Sequence, residues 1–227
     1  MNETRVVVTA VRAEVLMGFR LASRHAVART AAGWALGLSV LARVAGGPLP
    51  PNRVVGLAVA FGGLLGAAAG PRLMVRGGPL ETLRWASLPG GAVVLARVLG
   101  AVGFVGVVVA VLTALLSESG LTVAVTAAAV GHAGLVTGLA AGLAPRFGCS
   151  TTTALLTVFV GAGVAHEGYR AVVGIPQWVG VLTPPGALFA DAVAGRPVSA
   201  VLLGCWFLVA AAALANAGRM PDARAAR

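Results

Sequence analysis

The sequence predicts an all-α integral membrane protein with six transmembrane helices, and three observations lead there. First, 58% of the residues are hydrophobic and 11% charged, with a mean hydropathy of +0.93; an average soluble domain carries about 25% charge. Second, apolar runs close to the length of a bilayer-crossing helix are parted by breaks rich in glycine, proline or arginine. Third, the 32 glycines suit helices packed backbone to backbone in lipid better than a soluble core, where each would weaken a helix.

The charge pattern narrows the function. All 17 basic residues are arginine and none is lysine, so this chain lacks the lysine of a nucleotide-binding P-loop. A formal charge of +10 raises nucleic acid as a partner. The arginines, however, are scattered between apolar runs and not gathered with aromatic residues on one soluble module, so no nucleic-acid partner is expected. Retention of positive charge on the cytoplasmic side explains them better. Cys149 and Cys205 build neither a disulfide framework nor a metal cluster. No cleavable signal peptide is expected, because the first 30 residues hold five arginines and no compact apolar core.

In chain order, residues 1–29 are polar, but Val11, Val15, Phe19, Ala22 and Ala26 recur at helical spacing, with Arg12, Arg20 and Arg24 off that stripe. This predicts an amphipathic interfacial helix on the cytoplasmic membrane surface; the alternative is a cytoplasmic extension of the first span. The membrane region covers residues 30–217, beginning with a short first span from Thr30 to Val44. Gly46 to Pro51 ends it. The second span runs from Val54 to Gly70, with a small-residue ridge at Gly62, Gly66 and Gly70.

A polar stretch from Arg76 to Pro89 follows. Gly78 and Pro79 form a favourable helix opening, Glu81 lies in the first turn where a carboxylate suits the helix dipole, and Leu80 and Leu83 share one face while Glu81 and Arg84 share another. A short amphipathic helix is therefore expected here, stopped by Leu88 to Gly91.

The third span runs from Val98 to Leu116, with Arg97 snorkelling at its cytoplasmic end. The fourth, Leu121 to Leu143, carries a second ridge at Gly134, Gly138 and Gly142. After a turn at Pro145 to Gly148 the fifth span covers Phe147 to Ala165, and Val198 to Ala217 forms the sixth. Between the last two, the apolar stretches Ala171 to Leu182 and Ala187 to Ala194 flank Thr183 to Gly186. They read as two short re-entrant half-helices, since bare apolar loop at membrane depth leaves backbone groups unpaired.

Thirteen of the 17 arginines fall in the N-terminal segment, the region from Arg72 to Arg97, Arg146 and the tail. The positive-inside rule then sets both termini, the polar stretch and the tail at 218–227 in the cytoplasm of a multi-pass cell-membrane protein.

No catalytic set is visible and no metal or cofactor site is expected. His132, in mid-span, is either a substrate contact or a histidine bonded to nearby backbone, the latter being commoner. His166 and Glu167 lack the second histidine of a helical zinc-protease motif. No carboxylate lies deep in a span, which counts against an ion-driven carrier.

The whole layout resembles the permease subunits of type-two ABC exporters. Arg76, Gly78, Leu80, Glu81, Leu83 and Pro89 match that family's pattern around Gly-Thr-Leu-Glu, with Gly77 and Pro79 as departures. The outer segment, Ile175 to Trp178 and then Thr183 and Pro184, looks like the family's Leu-Pro-x-Trp and Asn-Pro-Leu.

The resemblance implies a single permease domain that exports an amphiphilic or hydrophobic small molecule. ATP and magnesium would be bound by a separate ABC ATP-binding subunit, and the permease would pair with a second permease subunit among membrane lipids. Gly78, Pro79, Leu80, Glu81, Leu83 and Arg84 would couple to the ATPase. Pro176, Trp178, Pro184 and Pro185 would shape the outer re-entrant segment, and Phe61, His132, Thr157 and Phe159 would line the cavity. The alternatives are a haem-exporter-type permease of cytochrome maturation, a non-transporting membrane protein, or a membrane lipid enzyme.

Overall fold

The computed structural model describes residues 3–74, 90–117, 122–173, 186, 188–189 and 197–218. Among the described residues the chain is helical almost throughout and contains no strand. The predicted coupling residues Gly78, Pro79, Leu80, Glu81, Leu83 and Arg84, and the outer residues Pro176, Trp178, Pro184 and Pro185, lie outside the described residues.

Seven α-helices are described: α1 (Glu3–Arg24), α2 (Ala26–Gly46), α3 (Pro51–Ala69), α4 (Gly90–Leu116), α5 (Thr122–Phe147), α6 (Cys149–Val173) and α7 (Pro197–Gly218). A 3₁₀ turn, Gly70–Met74, extends α3. Among the described residues three segments are long and apolar enough to cross a membrane: Arg53–Met74, Gly91–Leu116 and Val123–Phe147. Shorter apolar helical stretches occur at Cys149–Ala162 and Val201–Ala217.

The breaks follow local chemistry. Gly47 ends α2 with φ of 74°, its N–H bonding the Arg43 carbonyl at 3.0 Å, and Pro51 opens α3 where a missing N–H costs nothing. Gly148, with φ of 81°, forms the whole link between α5 and α6, so α5 runs through Pro145 to Phe147 before the chain turns.

Two helices are longer than apolar content alone predicts. Helix α4 starts at Gly90 because no proline interrupts 90–116, which brings Arg97 two turns inside the helix. Helix α6 continues past Ala165, through His166 and Glu167, to Val173, since no proline occurs before position 176.

Small residues set the packing. Helix α3 lies along α5 and α1 along α4, the two most extensive pairings. On α3 the predicted ridge meets α5: a Cβ at Gly62 would lie 2.7 Å from the Ala129 carbonyl oxygen, and one at Gly66 2.7 Å from that of Ala133. The second ridge faces other neighbours, with Gly134 against Val102 of α4, and Gly138 and Gly142 against Ala210 and Ala213 of α7. Helix α5 therefore sits centrally, flanked by α3, α4, α6 and α7.

Both sides of α4 are apolar. Val94, Ala101, Val105 and Leu112 are buried, while Leu95, Leu99 and Val107 stand more than half exposed. A soluble helix would place polar residues on that outer face; lipid accounts for apolar residues there. The interior is not wholly apolar, since Thr113 of α4 and Thr126 of α5 share a hydrogen bond at 2.9 Å between helices.

Candidate functional site

Two buried polar centres stand out in this apolar frame. The first joins α1, α3 and α4. Helix α1 carries Glu14, Gly18 and Ala22 along one line at i, i+4 and i+8, and all three are buried. The predicted stripe shares only Ala22 with this line; its other members are less covered, with Val11 and Val15 half-buried and Phe19 and Ala26 exposed. Gly18 rests directly on the Arg97 carbonyl, and Gly100 of α4 rests on that of Val15, leaving no room for a side chain at either position. Phe19 adds an edge-to-face contact with Phe104, ring centroids 5.8 Å apart.

This close crossing brings Arg97 onto Glu14. Arg97 Nε donates to Glu14 Oε2 at 2.8 Å, and the two side chains are 0% and 1% exposed. Arg97 Nη1 also donates to the Leu73 carbonyl at 3.1 Å. Leu73 lies in the 3₁₀ turn that closes α3, where carbonyls lack intrahelical partners and a cation suits the helix end.

Arg97 thus does not snorkel, which corrects the sequence expectation. Helix α4 begins further upstream than apolar content predicts, and α1 covers the side chain with a carboxylate. The guanidinium ties three elements together on both flanks of 75–89. Apolar counting misses the pair because Glu14 reads as one charge in a solvated segment; its place at i−4 from Gly18 is the only sequence signal.

The second centre is His132, 1% exposed on α5. Its Nδ1 lies 2.8 Å from the Val59 carbonyl of α3, so the proton sits on Nδ1 and Nε2 presents a lone pair. Nε2 is buried with no hydrogen-bond partner among the described residues, as are Thr137 Oγ1 and Thr152 Oγ1. The histidine ring occupies space that a side chain at Gly63 would take. Phe189 lies over it, ring centroids 5.6 Å apart, in a slot that a side chain at Gly131 would fill, and its far edge meets Phe207 of α7 at 6.1 Å.

The other predicted lining residues do not gather around His132 equally. Phe61 is half-buried against the core cluster that holds Val59, Ala129 and Phe189. Thr157 is exposed, and Phe159 packs edge-to-face with Trp206, 5.6 Å between centroids. Among the described residues no group of three or more His, Cys, Asp or Glu side chains is placed to hold a metal ion. Comparison with family models, curated proteins and solved structures finds no match for this chain.

Proposed function

We propose that the chain is the permease subunit of an ATP-driven membrane exporter, moving an amphiphilic or hydrophobic small molecule with energy supplied by a separate ATP-binding subunit. In this reading α2 to α7 all cross the membrane, the stretch 75–89 is cytoplasmic, and a second permease subunit completes the path. The short helix expected from Pro79 to Ser87 receives the push of the ATPase.

The observation that carries the reading is the Arg97 junction. A movement of 75–89 pulls on the end of α3 and the start of α4, the two segments Arg97 joins, and through Glu14 it also pulls on α1. A buried ion pair is a costly way to gain stability, because desolvating each ion costs several kcal/mol. It is a direct way to make three elements move as one, which a coupled rigid-body switch requires. The P-loop lysine missing from this chain fits the same division of labour.

The test is affinity purification of the chain from its native membrane, followed by identification of co-purifying proteins and an ATPase assay. A soluble partner with a P-loop is expected, and Glu81→Arg should weaken its retention and its coupling to the permease. Recovery without any such partner, or unchanged assembly and coupling in Glu81→Arg, contradicts the reading.

A further inference from the structure

We propose that His132 and Phe189 form a covered binding site for an amphiphile that carries a hydroxyl or N–H donor, with Phe189 as the removable cover. The proposal deepens the exporter reading and rests on it for the identity of the ligand as cargo.

The polarity of the site follows from the histidine's own bonding. Val59 offers only a carbonyl, so the Nδ1 proton is committed to it and Nε2 is left as an acceptor. A ligand must therefore bring the donor. Among the described residues the histidine's surroundings are apolar: the ring lies near Val59, Gly63, Val160 and Phe189. An amphiphile with one donor matches that combination.

A purely structural role explains the centre poorly. The bond to Val59 accounts for Nδ1 alone; Nε2 stays buried with no partner among the described residues, at a desolvation cost that the interhelical bond does not explain. Nor is the cover incidental, because two glycines are shaped to it: Gly63 admits the imidazole and Gly131 admits the Phe189 ring. Phe189 is 7% exposed and packs against the imidazole through its ring alone, so the proposed opening is a rotation of that ring.

The chain has three histidines, so His25→Gln with His166→Gln leaves His132 alone. In nanodiscs, carbethoxylation of His132 by diethylpyrocarbonate, read by peptide mass spectrometry, reports exposure of a neutral imidazole nitrogen. The single-histidine protein should react slowly. Phe189→Ala should react at least about tenfold faster, in line with a larger open population. Phe189→Leu, which keeps apolar bulk should the alanine variant not fold, should fall between the two.

In the uncovered variant, dodecan-1-ol should protect His132 from modification and its methyl ether, which lacks the donor, should not. Equal rates with and without Phe189 overturn the cover, and equal protection by alcohol and ether overturns the hydrogen-bond site. No ATP-binding partner is needed for either readout, so failure of the exporter reading and failure of this site are told apart.

Discussion

Arg97 and Glu14 are 83 residues apart in the chain and 2.8 Å apart in the fold, and neither side chain reaches solvent. The pair lies in the close crossing of α1 and α4, at the point where the chain leaves α3 and returns. Its energetics are asymmetric: the intact pair offers little net stability over apolar residues, but either ion left alone is a buried, uncompensated charge.

Single replacements should therefore be worse than the double. Glu14→Leu or Arg97→Leu alone should destabilise the protein by about 3–5 kcal/mol, while the double variant should recover most of that loss. Thermal unfolding of the four proteins in one detergent gives the coupling energy. Additive losses would show that the two charges do not act as a pair.

The helix crossing beside the pair makes a second prediction. Gly18→Val and Gly100→Val place side chains on the backbone of the facing helix and should each cost about 1–3 kcal/mol or more. They should also release α1, seen as faster amide exchange across Glu3–Arg24. Gly33 and Gly37 of α2 have nothing within 4 Å, so Gly33→Leu and Gly37→Leu should leave the exchange of α1 unchanged.

His25, at the bend between α1 and α2, predicts a pH dependence. Partial burial and then the nearby Arg72 guanidinium lower its pKa below the ordinary 6.5. The unfolded chain therefore binds a proton more readily than the folded one. The contribution to stability is complete above about pH 6.5 and is lost as pH falls towards the lowered folded value. His25→Gln should flatten that acid limb of a thermal-stability profile; an identical slope in the variant would remove His25 as its cause.

What the sequence discloses is the part governed by composition and spacing. Glycines at intervals of four announced a close contact along α3, and Gly62, Gly66 and Gly70 do meet α5. The breaks read over Gly46 to Pro51 and Pro145 to Gly148 fall at Gly47 and Gly148, whose positive φ is a local property, while Pro145 stays inside α5. Arg97 was misread because a charge near a span end usually reaches for water, and only the folded position of α1 shows what intercepts it. The same limit applies to His132: mid-span placement is visible in the sequence, but its bond to Val59 and its cover by Phe189 join residues 73 and 57 positions away. Neither partner has a motif.

In the proposed function, a chain without its own P-loop is worked from the cytoplasmic face through the stretch between α3 and α4. Its most direct test is the side of the membrane on which that stretch lies. With Cys149→Ser and Cys205→Ser as background, a single cysteine at Thr82 should resist a membrane-impermeant maleimide in intact cells and react with it in inverted vesicles. Labelling from outside the cell, or protection on both sides, would contradict the account.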